Sequence, residues 1–217
     1  MKIKDLWACY LAKIEKANEN LIKIAFDEME SKQYEEASIH FDQLYTQDAN
    51  DFMSYFFRAY CKSHCGTRGN AYPDSQSLTA AFNLSFKKAI SAKENLDTNL
   101  CLIFSMYEDA MENLYANAVN DAYKIPLDSR TNIVNCIKEN VDIIKSTEKT
   151  KAFIVNYLKK IVDYNLESYG TLILSFDPSY ATILEEKRKK LKRRSIITLT
   201  IILAVLLGPI IIAICGA

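Results

Sequence analysis

The chain has 217 residues, 49% of them hydrophobic, with 27 Lys or Arg set against 27 Asp or Glu, a balance that supports a packed core rather than disorder. The neutrality averages unlike parts: every acidic residue lies at or before Glu186, so residues 1–186 hold 20 cations against 27 anions, a net of −7. A body of that sign repels phosphates and argues against nucleic acid as a partner, while six cysteines without framework spacing argue against a disulfide scaffold and fit free thiols in a reducing compartment.

The N-terminal stretch MKIKDLWACYLAK holds only seven uncharged residues, Leu6 to Ala12, between Asp5 and Lys13, too few for the apolar region of a secretory signal. Ile3, Leu6, Trp7, Tyr10, Leu11 and Ile14 recur at three and four, which predicts a first amphipathic helix. Leu100, Ile103, Met106, Tyr107 and Met111 form another such face. Breakers predict cuts at Gly66 to Pro73, Lys124 to Asp128 and Gly170 to Pro178. Helix starts are expected after Ser77, after Asp128 or Ser129, and at Asp177, where Pro178 would take the first helical position. Thr171 to Phe176 reads either as a short extended stretch or as part of a helix.

The most informative stretch is NENLIKIAFDEMESKQYEEASIHFDQLYTQDAND, the 34 residues from Asn18 to Asp51. In length and pattern it resembles one tetratricopeptide repeat. Aligned on Tyr34 to Ala37, the resemblance puts Ala25 and Ala37 at the family's small positions, where two helices approach closely, and Phe41 at its aromatic position, with Tyr34 and Phe41 filling the space between the helices. Glu28 departs from the family's tyrosine, Leu44 from a small residue and Ala49 from the terminal proline. The next segment, FMSYFFRAYCKSHCG, resembles a second first-helix with Tyr55 on an aromatic and Ala59 on a small position. Beyond Gly66 a loop of about ten residues before Ser77 breaks the pattern, and the resemblance ends at 18–65. It implies a concave helical surface that grips a peptide, lined by Tyr55, Arg58 and Lys62 with Tyr34 or His40 opposite. The alternative is a plain antiparallel helix array.

Chemistry-bearing motifs are sparse. Cys61, His64 and Cys65 sit close in CKSHC, but zinc needs four ligands and the only other histidine, His40, has no spacing tying it to them, so the cysteines read as packing residues. Gly66 and Gly69 match no phosphate-binding pattern, no Ser or Cys motif surrounds either histidine, and Glu108, Asp109 and Glu112 read as a solvated helix face. No catalytic residue, cofactor or metal is expected.

The end of the chain is abrupt. Seven of the eight residues from Lys187 to Arg194 are cations: Lys187, Arg188, Lys189, Lys190, Lys192, Arg193 and Arg194. Of the 20 residues from Ile196 to Cys215, 13 are Ile, Leu or Val. This pattern resembles a tail-anchored membrane protein, with the cations against anionic head groups. The expected fold is therefore all-α: a helical-hairpin array over 1–176, tetratricopeptide-like at 18–65, a basic juxtamembrane helix over 177–194 and a transmembrane tail anchor over 195–217. The expected topology is single-pass, with the N-terminal domain in the cytoplasm and the C-terminus beyond the bilayer. Function then reads as a membrane-tethered adaptor or scaffold binding an unidentified protein or peptide. Other readings are lateral association of the span through Ala204 and Gly208, giving a homo-oligomer, or a tethered enzyme of unknown chemistry.

Overall fold

Apolar side chains three and four apart turn one face of each helix inward, and short connections let each helix fold back on the one before. A computed structural model of the protein describes residues 19–66, 69–119 and 122–215, with side chains as far as Thr200, and all its regular elements are helices. They are α1 Glu19–Glu30, α2 Tyr34–Gln47, α3 Phe52–Cys65, α4 Ala71–Ala92, α5 Leu96–Asn117, α6 Lys124–Glu139, α7 Val141–Lys145, α8 Glu148–Ile161, α9 Leu166–Phe176 and α10 Ala181–Cys215. Short 3-10 turns at Val162–Tyr164 and Pro178–Tyr180 precede α9 and α10. The all-α class is as expected, and Thr171 to Phe176 is helical, inside α9. The helix expected over Ile3 to Ile14, Trp7 included, lies outside the described residues.

The chain divides into two compact units, residues 1–153 and 154–217. In the first, α1 to α6 each pack on the next, and α3 also meets α5 as α4 meets α6. Ala25 and Ala37 are fully buried, which lets α1 and α2 close on each other, and Phe26, Phe41 and Phe57 meet there with ring centroids 5.1 to 5.3 Å apart. Tyr34, expected to fill the space between these two helices, is half-buried and lies against α3 instead. A second aromatic cluster, Phe82, Phe86, Phe104 and Tyr107, joins α4 to α5 at 4.3 to 5.9 Å.

Two expected helix starts move upstream. Helix α4 begins at Ala71 and α6 at Lys124, so Pro73 and Pro126 each sit third in their helices. The first-turn N–H groups have no intrahelical acceptor, so a proline there sacrifices nothing. Ser77 is consequently inside α4, its hydroxyl donating to the Pro73 carbonyl at 3.2 Å, and the loop before α4 is shorter than expected. Tight connections elsewhere use left-handed residues that are not glycine: Lys32 at φ 62°, Lys93 at 59° and Asn95 at 44°.

In the second unit Gly170 lies within α9 and not at a chain break. A Cβ there would stand 2.4 Å from Leu184 Cδ1, so the missing side chain is what lets α10 approach α9. Lys159 donates to Asp177 at 2.9 Å, and Asp177 accepts from Ser179, so Asp177 serves these two groups and caps no helix through its side chain.

The expectations for the end of the chain are corrected. Among the described residues no helix is long and apolar enough to cross a membrane. This overturns the transmembrane tail anchor over 195–217, and with it the single-pass topology that set the N-terminal domain in the cytoplasm and the C-terminus beyond the bilayer. The physical reason lies in the side chains described on α10: Glu185 to Arg194 are charged at every position but Leu191, and only Ser195 to Thr200 follow, where a span needs about 20 apolar residues. Side chains from 201 onward, Ala204 and Gly208 included, lie outside the described residues.

Candidate functional site

Arg58 has the most developed surroundings of the five residues expected to face a partner. One turn before it on α3 is Tyr55, and across on α2 are Asp42 and Tyr45, themselves three apart and so on one face. The guanidinium carbon lies 5.0 Å from the Tyr55 ring centre and 5.4 Å from that of Tyr45, and the head pairs with the Asp42 carboxylate. The two rings are 5.1 Å apart. A planar cation packed over two adjoining rings and paired with a carboxylate is fixed in orientation. Its side chain keeps 25% of its surface exposed and Asp42 keeps 50%, so the patch is open on one side.

The other expected residues do not converge on it. His40 Nδ1 lies 2.6 Å from Glu28 of α1, which draws its ring toward that helix. Lys62 is exposed on α3, one turn beyond Arg58. Tyr34 stacks on His64, ring centres 4.4 Å apart, and so belongs to a second cluster.

That second cluster was not evident from the sequence. His64 is wedged between Tyr34 and Tyr60, the latter 4.6 Å away, while the Tyr60 hydroxyl donates to Asp109 of α5 at 2.8 Å. His64 Nε2 is buried without a hydrogen-bond partner, and the Asp109 carboxylate stands 3.8 Å from it, too far to accept. Burial pushes the His64 pKa below 6.5; Lys32 adds to this and Asp109 opposes it. The unfolded chain therefore takes up this proton before the folded one does. Stability contributed by neutral His64 is complete above pH 6.5 and is lost as the pH falls through the lowered folded value. In urea titrations, unfolding free energy is expected to decline from pH 6.5 downward, and a His64→Phe variant, which keeps the stacked ring, is expected to flatten that decline. An identical slope in both proteins would refute the assignment, since His40 is common to the two.

A cavity of about 350 Å³ opens between α4, α5 and α6, at the small end of the usual range of ligand pockets. Gln76, Thr79, Asp128, Asn132 and Asn135 give it a polar wall, with Met111 at one side. Thr79 donates to the Ser75 carbonyl at 2.8 Å, so the 2.8 Å contact between Thr79 and Tyr107 is a donation by the buried phenol. Burial raises the pKa of that phenol to about 12. A wall of amides, hydroxyls and the Asp128 carboxylate can bind a polar group.

Cys61 is fully buried and Cys65 exposed, its thiol directed to the Cys61 carbonyl at 3.3 Å. Among the described residues no three His, Cys, Asp or Glu side chains are grouped to hold a metal. Asp109, read as part of a solvated face, is exposed but shared with Tyr60. On α10, Lys187 and Arg188 pair with Asp163 and Glu167, and Lys189 lies 3.8 Å from Glu185, whereas Lys190, Lys192, Arg193 and Arg194 extend outward and are exposed. Comparison with protein-family models, with curated proteins and with solved structures finds no match for this chain.

Proposed function

We propose that this chain is a protein-interaction scaffold that holds a partner segment against the α2–α3 face of its helical hairpins. The observation carrying this reading is the Arg58 guanidinium, pre-positioned over the adjoining rings of Tyr45 and Tyr55 and held by a half-exposed Asp42. Tyrosine and arginine are the residue types that supply most binding energy at interfaces, and ones already fixed lose little entropy on binding. A carboxylate from a partner can compete with Asp42 for the guanidinium fork while its apolar neighbours lie on the rings.

The tetratricopeptide-like reading of residues 18–65 is consistent with this role. Its small positions Ala25 and Ala37 and its aromatic position Phe41 are fully buried, and α3 follows where a second repeat would begin. Proximity labelling from the full chain, wild type beside a Tyr55→Ala/Arg58→Ala variant of unchanged helicity, tests the proposal. Loss of the same proteins from the variant, by roughly tenfold or more, is the expected outcome. Recovery of an identical set at equal yield from both chains would refute it.

A further inference from the structure

The cations of α10 are not equivalent. Lys187 Nζ donates to Asp163 Oδ1 at 2.6 Å, and Arg188 grips both oxygens of Glu167, its Nε at 2.9 Å. The hydrogen bond from Arg188 holds the Glu167 carboxyl below its usual range, and Lys192 contributes to the same field. At 100° per residue, Lys190, Arg193 and Arg194 fall together in one stripe along the helix, as residues i, i+3 and i+4, adjoining the line of Lys187. All three are exposed, and no acidic residue follows Glu186 in the chain to offset them.

The same stripe continues into Ile197, which is 58% exposed, flanked by Ile196 at 63% and Leu199 at 59%. With a rise of 1.5 Å per residue, Ile197 stands about 5–10 Å further along the axis than the three cations. A polyanion such as RNA offers phosphates but no apolar layer for these side chains. A phospholipid surface offers both, phosphates at one depth and the acyl boundary 5–10 Å away.

We infer that Lys190, Arg193 and Arg194 form a binding face for anionic phospholipid head groups, with Ile197 and its neighbours entering the interfacial layer. This contact is with the surface of a bilayer and is independent of the protein-binding face on α2–α3. It is tested by flotation of the full chain with phosphatidylcholine vesicles, with or without about 30 mol % phosphatidylserine. The wild type is expected to prefer the anionic vesicles and to lose that preference as salt is raised. A Lys190→Gln/Arg193→Gln/Arg194→Gln variant is expected to lose the preference by roughly a hundredfold, and a Lys187→Gln/Arg188→Gln variant to lose much less. Equal binding to the two vesicles by the wild type, equal losses in the two variants, or binding of duplex RNA as tight as that of the anionic vesicles would each overturn the assignment.

Discussion

Replacement of Phe57 by alanine is expected to lower the unfolding free energy by about 3–5 kcal/mol. Phe57 is fully buried on α3, and its ring meets Phe26 of α1 and Phe41 of α2, each at 5.1 Å, so one side chain ties three helices together. Truncation removes the transfer free energy of the ring, leaves a cavity that two helices held by their own contacts cannot close, and deletes two aromatic pairs worth about 0.5–1.5 kcal/mol each. Against a typical total of about 5–15 kcal/mol, that loss is large. Urea unfolding followed by far-UV circular dichroism measures it. Ile39→Ala, at a position 53% exposed, is the control and is expected to change stability by less than about 0.5 kcal/mol. A Phe57→Ala loss no greater than the control would show that the three-ring cluster is not a stabilising core.

The second large effect lies at Asp97, in the first turn of α5. Its carboxylate accepts from the backbone N–H of Lys149 at 2.9 Å and of Thr150 at 2.8 Å, and from the Thr150 hydroxyl at 2.9 Å. It therefore caps the first turn of α8 from more than 50 residues away. Asp97→Ala is expected to cost about 2–3 kcal/mol, because a lost cap contributes about 1–2 and the buried Thr150 hydroxyl keeps only the Asp97 carbonyl as partner. Asp97→Asn, which retains an acceptor oxygen without the charge, is expected to lose about half as much.

The pH dependence gives a second check on Asp97. Burial alone would raise its pKa, but the hydrogen bonds from Lys149 and Thr150 more than reverse this, and the folded value lies below 3.8. The stability it supplies is therefore complete above the unfolded value and declines as the pH falls through the lowered folded one. The gap between wild type and Asp97→Ala is expected to stay constant from neutral pH down to about 4 and to narrow below that. A gap that narrows already between pH 6 and 5 would place the effect on another group.

Local pattern went far in this chain and stopped at identifiable places. Periodicity located the buried face of α5, and the repeat resemblance over 18–65 marked Ala25, Ala37 and Phe41, three positions that are fully buried. Proline and glycine misled at three positions: Pro73 and Pro126 lie in first turns that need no N–H donor, and Gly170 sits inside a helix, where Leu184 occupies the space a Cβ would take. Lys32, Lys93 and Asn95 carry left-handed turns that no glycine announces. The apolar end of the chain was read from hydropathy as a span, yet the described part of α10 is dominated by charge.

Tyr55 and Arg58 were legible as a pair because they share one helix face, three residues apart. Their complement, Asp42 and Tyr45, shares a face of another helix, and nothing local says that those two faces meet. The same holds for His64 with Asp109 and for Asp97 with Thr150. Helical character and the stripes that turn inward follow from local pattern, because a helix repeats every 3.6 residues and burial follows that repeat. Which polar side chains face one another across helices is set by docking, since it depends on how the helices are rotated and offset, and several arrangements bury the same stripes.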